Sequence, residues 1–214
     1  MHIAESNNRI KSLLLSEKAS LCSRMGVVES QITKSMINDF DSLDFKLRKA
    51  AWVNAGIYPP TRHELSKFAG VYKDCLRNTD LIAVWPAGIQ KPHDDLLGYF
   101  CKGIPTVGMN VLDIFSCSTE MDIDDIWISM FENKKILIIH PFARSFSVQF
   151  SKLKSLHKVP ILPEFNAVFS APPMTQGINL ARISYSSSLA EYLDGLDKLI
   201  SSLGIDFALL AASA

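Results

Sequence analysis

The sequence predicts an α/β fold with a mostly parallel sheet, because short aliphatic runs alternate with stretches of helical periodicity. The clearest run, Ile-Leu-Ile-Ile at residues 136–139, is unbroken rather than alternating, which is typical of a strand buried on both faces. It stops at His140 and Pro141, and an apolar pattern of helical spacing resumes at Phe146. In open α/β sheets ligands bind outside the carboxyl ends of the strands, so this turn is the expected site.

Composition indicates one globular domain spanning residues 1–214. The chain is 48% hydrophobic and 21% charged, enough for a core and for solubility. Lysine plus arginine equals aspartate plus glutamate at 22 each, so no net charge favours nucleic acid as a partner. No uncharged apolar stretch approaches the roughly 18 residues of a spanning helix, and the four cysteines are widely spaced. These features predict a cytoplasmic protein without a transmembrane segment.

The remaining elements follow from periodicity and turn residues. Strands are predicted near residues 20–23, 81–85, 105–108, 135–140, 165–169 and 206–210. Helices are predicted over residues 4–18, 27–40, 44–54, 93–102, 122–131 and 189–203, with another from Thr61 and another after Pro141. Thr61 and Glu64 have capping-box spacing, and Ser145 and Asp122 are expected to cap their helices. Residues 171–177 are predicted to form a loop over a site.

The sequence contains no catalytic motif that would identify an enzyme class by itself. The P-loop, dinucleotide-binding, serine-hydrolase and zincin patterns are all missing, and the five histidines lack metal-ligand spacing. Residues 122–125 (Asp-Ile-Asp-Asp) favour helix capping over metal binding. Spacing alone therefore supports an α/β domain with a polar site at its strand ends.

Four segments resemble the GT-D fold glycosyltransferases. Residues 23–29 (Ser-Arg-Met-Gly-Val-Val-Glu) resemble the family's Arg-x-Gly-x-x-Glu opening, and residues 54–59 (Asn-Ala-Gly-Ile-Tyr-Pro) resemble a second segment. Residues 135–142, followed by Gln149, are similar to the central strand and turn, and residues 163–165 (Pro-Glu-Phe) to a later triplet. The resemblance spans roughly residues 15–210 in the family's order.

The resemblance implies a Rossmann-like three-layer sandwich of the GT-D type. It also implies transfer of a sugar from a nucleotide-sugar donor to a glycan acceptor in bacterial cell-surface polysaccharide or glycoprotein synthesis. Related chains continue past the last strand into a Gly-rich loop, so this chain is expected to be either naturally short or truncated. The alternative is a non-catalytic nucleotide- or glycan-binding domain of the same fold.

The family's Asp-x-Glu metal triplet is altered here to Val27-Val28-Glu29. Because one carboxylate is a poor site for a divalent cation, the expectation is that no metal site is preformed. Mn²⁺ or Mg²⁺ would then enter with the nucleotide diphosphate and meet Glu29 alone. Otherwise Arg24 and backbone amides neutralise the leaving group, or this copy is inactive.

The resemblance and the reaction together nominate the site residues. An arginine at a helix N-terminus suits a diphosphate, which points to Arg24 with Gly26 and to Arg144 with Ser145. Substrate contacts are also expected from Glu29, Asn54 and Gln149, with Gln149 orienting a sugar hydroxyl or lying on a solvated face. His140 and Glu164 are the candidate catalytic bases, since a base must take the proton of the acceptor hydroxyl. The competing interpretations are a strand-end histidine bonded to the backbone and a surface carboxylate.

Overall fold

The computed structural model describes residues 2–16, 18–38, 43–84, 98, 100–156, 162–175, 177 and 183–210. The six strands are β1 (Cys22–Arg24), β2 (Leu81–Val84), β3 (Thr106–Gly108), β4 (Lys135–Ile139), β5 (Asn166–Ser170) and β6 (Phe207–Leu210). The helices are α1 (Ile3–Leu14), α2 (Val27–Asn38), α3 (Phe45–Val53), α4 (Arg62–Arg77), α5 (Ile114–Ser118), α6 (Ala143–Leu156) and α7 (Tyr185–Leu203). Short 3₁₀ helices cover Met109–Leu112, Ile123–Asp125 and Trp127–Phe131.

The strands form two three-stranded sheets, and every strand pair is parallel. The first sheet has the order β1-β2-β3, and the second has the order β5-β4-β6 with β4 in the middle. The predicted α/β class and parallel direction are confirmed. The prediction of one sheet differs from the structure, in which no described strand of one sheet is hydrogen-bonded to a strand of the other.

One apolar core joins the two sheets through side chains. It contains Leu81, Ala83 and Val107 of the first sheet together with Ile136 of β4. Phe131 stacks on Phe207 of β6 at 5.3 Å between ring centroids. The opposite side of β4 packs on α7 through Leu137, Ile139 and Leu196. β4 is therefore buried on both faces, as its unbroken aliphatic run predicts.

A second core lies among the helices α2, α3 and α4. Ile32, Ala51, Leu65 and Phe68 are its buried members from those helices. Thr61 caps the N-terminus of α4, and its hydroxyl accepts the Glu64 N–H at 3.4 Å, so the predicted cap is confirmed. The Glu64 side chain does not complete the capping box. It bonds instead to the first turn of α7.

Two predicted helix starts are wrong. Ser145 lies inside the first turn of α6, because the chain already turns at Phe142, whose carbonyl accepts the Phe146 N–H at 2.9 Å. Asp122 makes no side-chain cap, and residues 122–131 form two 3₁₀ helices separated by an extended Ile126. Asn7 explains the break, since its side chain accepts the Trp127 N–H at 2.7 Å in place of a helical carbonyl.

The other predicted boundaries agree within a few residues. α7 begins four residues before the predicted start and ends at Gly204, which adopts the left-handed conformation as a C-cap. The predicted helix over residues 93–102 falls mostly outside the described residues, as do Trp85 and the end of the predicted helix at Phe40. Within the described residues, no helix is long and apolar enough to cross a membrane.

Candidate functional site

A cavity of about 320 Å³ lies where the carboxyl ends of the second sheet meet the helices that follow β1. The strand ends contribute Ile139 and Pro141 after β4, residues 172–175 after β5, and Leu210 of β6. α7 forms another wall with Tyr185, Ser188, Leu189, Tyr192, Leu193 and Leu196. Glu29 on α2, Ala55, Gly56 and Phe68 complete it. We call this space the Glu29 cavity.

Glu29 is the one charged side chain among the described residues that line the cavity. Its carboxylate folds back over Gly26, where an added Cβ would lie 2.0 Å from Glu29 Oε2. Any other residue at position 26 would displace this carboxylate, which is the far end of a flexible side chain. The chain thus directs one negative charge into a largely apolar space.

Two phenols stand near Glu29 and stay neutral at physiological pH. Burial raises the pKa of Tyr185 to about 12, and the charges of Cys75 and Glu29 add to the effect. Burial also raises the pKa of Tyr72 to about 12, with the Glu29 charge adding and the Ser30 hydroxyl, at 3.3 Å, opposing. Both side chains therefore act as hydrogen-bonding groups rather than as charges.

The first turn of α7 is fixed to α4 by a buried carboxylate. Glu64, 5% exposed, accepts the N–H and the hydroxyl of Ser186, each at 3.1 Å. Burial raises the pKa of Glu64, but the two Ser186 bonds and Lys67 outweigh it, so the pKa is lowered from 4.5. The Tyr185 N–H also donates to the Tyr58 carbonyl at 2.7 Å. These bonds hold Tyr185 at the cavity wall.

A second, more open cavity of about 490 Å³ adjoins the first along α7. The two share Pro173, Ser188, Tyr192 and Leu196. The Tyr192 and Ser170 hydroxyls are 2.9 Å apart and hydrogen-bonded, which ties α7 to the end of β5. Tyr192 therefore stands at the boundary between the two spaces.

Two of the segments that resemble the GT-D family, residues 23–29 and 54–59, contribute residues to the Glu29 cavity. Glu29 lines it, and Gly26 lies under the Glu29 carboxylate. Asn54 is exposed, while the next two residues, Ala55 and Gly56, form part of the wall. Arg24 is the exposed last residue of β1 and does not line the cavity.

His140 lies at the end of β4, where its backbone N–H extends the ladder to the Ser170 carbonyl at 3.0 Å. Its Nδ1 accepts the Phe142 N–H at 2.9 Å, and its ring stacks on Phe146 at 4.2 Å between centroids. An Nδ1 that accepts a backbone N–H places the proton of the neutral ring on Nε2. In this arrangement His140 presents a hydrogen-bond donor at Nε2, and it does not line either cavity.

The predicted polar residues of α6 do not reach the cavity. Arg144, Ser145 and Gln149 are exposed, and none of them lines either cavity. α6 leaves the end of β4 with Ala143 as its one fully buried residue among those described. These three side chains therefore lie on the solvent-facing surface beyond the turn.

Glu164 lies at the opposite end of the second sheet from His140, the other candidate base. Its carbonyl accepts the Asn133 N–H at 2.7 Å, and its N–H donates to Glu132 at 2.8 Å. β5 then runs parallel to β4 from Asn166 opposite Lys135. Five strand steps of about 3.3 Å separate Lys135 from His140, a distance of about 16.5 Å. Glu164 and His140 therefore cannot act on one bond.

Several residues of the cavity were missed from the sequence. Residues 172–175, predicted as a loop over a site, form a loop that lines this cavity, whereas the α7 wall was not predicted. Its members follow helical spacing, so the polar and aromatic residues Tyr185, Ser188 and Tyr192 share one helix face. These polar and aromatic residues on one helix face are the sequence feature from which the α7 wall could have been predicted.

Comparisons with family models, with curated proteins and with solved structures found no match to this chain. Among the described residues, no three histidine, cysteine, aspartate or glutamate side chains are grouped so as to hold a metal ion.

Proposed function

We propose that this protein is a glycosyltransferase of the GT-D type, which moves a sugar from a nucleotide diphosphate sugar to a glycan acceptor. On this proposal the two parallel sheets are parts of one Rossmann-like domain that acts in the synthesis of bacterial surface glycans. The main support is that residues from two separate resembling segments line the same cavity. Glu29, from the Arg-x-Gly-x-x-Glu segment, and Ile139 and Pro141, from the central strand and turn, line one cavity.

The reaction assigns different tasks to Glu29, which lines the cavity, and to Arg24 and His140, which do not. A bond forms between the acceptor oxygen and the anomeric carbon, while the bond from that carbon to the diphosphate breaks. Arg24 at the end of β1 and the first amides of α2 offer positive potential to the departing diphosphate. Glu29 is the carboxylate placed to take the proton of the acceptor hydroxyl, and His140 can donate from Nε2.

A metal would have to come with the substrate in this scheme. Val27 has no oxygen ligand, and Glu29 supplies at most two. A nucleotide diphosphate would bring Mn²⁺ or Mg²⁺ already coordinated, with Glu29 as one further ligand. In that role Glu29 would not be free to serve as a base.

The second candidate function is non-catalytic binding of a nucleotide or glycan. It is favoured by the single carboxylate at the cavity and by the positions of His140 and Glu164, which give no ready base. The two functions differ in turnover but share the donor site. Release of nucleotide diphosphate from a nucleotide sugar in the presence of acceptor would support the enzyme.

The first experiment is a thermal-shift panel of nucleotide diphosphates and their sugars, with and without Mn²⁺. A ligand at 100 times its dissociation constant stabilises the fold by roughly 2.7 kcal/mol. Arg24→Ala should weaken nucleotide diphosphate binding by about 1.5–3 kcal/mol, because it removes a charge-assisted hydrogen bond. Arg77→Ala, which removes an exposed arginine at the end of α4, is the matched control. Equal affinity in both variants would remove Arg24 from the donor site.

A further inference from the structure

The Glu29 cavity has a charge unsuited to a diphosphate. Glu29 is its one charged lining residue among those described, and the raised pKa of Tyr185 keeps that phenol neutral. Arg24 and Arg144, the arginines predicted to face phosphate, do not line it. Among the described lining residues a polyanion entering this space would meet a carboxylate and no cation, which is unfavourable in an apolar environment.

Two residues with hydroxyl side chains, Thr175 and Ser188, lie in the cavity wall at 8% and 5% exposure. No hydrogen bond joins either hydroxyl to another described residue, so both can bond to a ligand. Together with the Glu29 carboxylate they form a set of acceptors and donors suited to ligand hydroxyl groups.

Size and wall chemistry narrow the ligand further. A volume of about 320 Å³ lies at the lower end of the ~300–1,000 Å³ range of ligand pockets, which suits one ring better than a whole nucleotide sugar. The walls carry prolines, leucines and the rings of Phe68, Tyr185 and Tyr192. A sugar ring has apolar C–H faces that suit such walls, and hydroxyl groups around its rim that can bond to Glu29, Thr175 and Ser188.

From these observations we infer that the Glu29 cavity binds an uncharged glycosyl ring, with Glu29, Thr175 and Ser188 meeting its hydroxyls, and that the diphosphate stays outside. The inference rests on the proposed function for the identity of the whole ligand. It assigns one part of that ligand to one space. The apolar faces of the ring would lie between α7 and the prolines after β5.

The test uses methyl glycosides of common hexoses and N-acetylhexosamines, with inorganic pyrophosphate as the anionic probe. Saturation-transfer NMR on the full chain should detect at least one glycoside in the millimolar range, and pyrophosphate should not compete with it. Thr175→Val and Ser188→Ala should each weaken that glycoside about fivefold, the effect of one lost hydrogen bond. Thr119→Val removes an exposed hydroxyl remote from the cavity and should leave the affinity unchanged.

Three results would overturn the inference. The first is that no glycoside binds. The second is that Thr175→Val, Ser188→Ala and Thr119→Val all bind the glycoside with the same affinity. The third is that pyrophosphate displaces the glycoside and binds more tightly to Glu29→Gln. Thermal melting of each variant shows whether the fold is intact. Nucleotide diphosphate binding without glycoside binding would leave the proposed function standing alone. Glycoside binding by a protein that binds no nucleotide would leave the cavity assignment standing alone.

Discussion

At the scale of single residues, Gly26 and Glu29 are coupled by a steric limit. A Cβ at position 26 would lie 2.0 Å from the Glu29 carboxylate, so alanine there must push the carboxylate away. Because Glu29 adds to the raised pKa of Tyr72 and Tyr185, Gly26→Ala should lower these phenol pKa values from about 12. Alkaline absorbance titration measures the change, and Glu29→Gln should move it in the same direction.

Gly70 offers a matched control on α4. An added Cβ there meets no atom within 4 Å, so Gly70→Ala should leave the phenols unchanged. It should also stabilise the protein by about 0.5–1 kcal/mol, since alanine loses less entropy in a helix. If the phenol pKa values were the same in Gly26→Ala as in Gly70→Ala, the Glu29 carboxylate would not lie over Gly26 in solution.

Glu64 gives a residue-scale prediction for stability. Glu64→Gln weakens two charge-assisted bonds from Ser186 and should cost about 1.5–3 kcal/mol. Since the folded-state pKa of Glu64 is below 4.5, this stability is present above pH 4.5 and is lost as the pH falls through the lowered value. Urea unfolding measured from pH 7 to 3 should therefore show that the difference in free energy of unfolding between the wild type and Glu64→Gln becomes smaller as the pH falls.

The control for Glu64 is Asp74→Asn on the same helix. The Asp74 side chain is 72% exposed and pairs with Arg77 at 3.6 Å, and such surface pairs contribute about 0–1 kcal/mol. A wild-type advantage over Glu64→Gln that stayed constant down to pH 3 would contradict the lowered pKa.

At the scale of elements, the turn between β4 and α6 is held by His140. His140→Ala should destabilise by about 1–2 kcal/mol, because the Phe142 N–H loses its acceptor and Phe146 loses a stacked ring. His140→Asn should restore part of this loss, since an amide oxygen can accept the same N–H. Thermal melts compare the two variants. If the proposed glycosyl transfer were demonstrated and were lost equally in both variants while asparagine rescued stability, His140 would have a chemical role as well.

The helices and strands themselves were largely predictable from the sequence, whereas the tertiary contacts between them were not. Local patterns locate β4, Thr61 and Gly204, because burial on both faces, capping and left-handed turns each leave a mark within a few residues. The break at Ile126 depends on Asn7, more than a hundred residues away. The placement of Glu164 depends on which end of β5 meets Asn133. Such long-range contacts have no local signature in one sequence.

At the scale of the whole molecule, the shared core predicts that the two sheets unfold together. Phe131, 1% exposed, contacts Trp127, Phe165 and Phe207 and belongs to the core that holds Leu81 and Val107. Phe131→Ala should cost about 3–5 kcal/mol through lost burial and a cavity. Urea unfolding followed by far-UV circular dichroism and by tryptophan fluorescence should still give one coincident transition.

Phe45→Ala is the control for this prediction. Phe45 is 81% exposed at the start of α3, so its removal should change stability by less than about 0.5 kcal/mol. Two separated transitions in Phe131→Ala, one with each probe, would show that the sheets are independent units joined only weakly.

The strand order of the second sheet also bears on synthesis of the chain. β4 pairs with β5 and with β6, and its residue Ile136 lies opposite Phe207, 71 positions later. The first sheet needs only residues up to Gly108, so a growing chain can complete it early. The aliphatic strand β4 cannot be enclosed until residue 210 has left the ribosome. Until then it is an exposed hydrophobic segment, of the kind that chaperones bind and that aggregates when they are scarce.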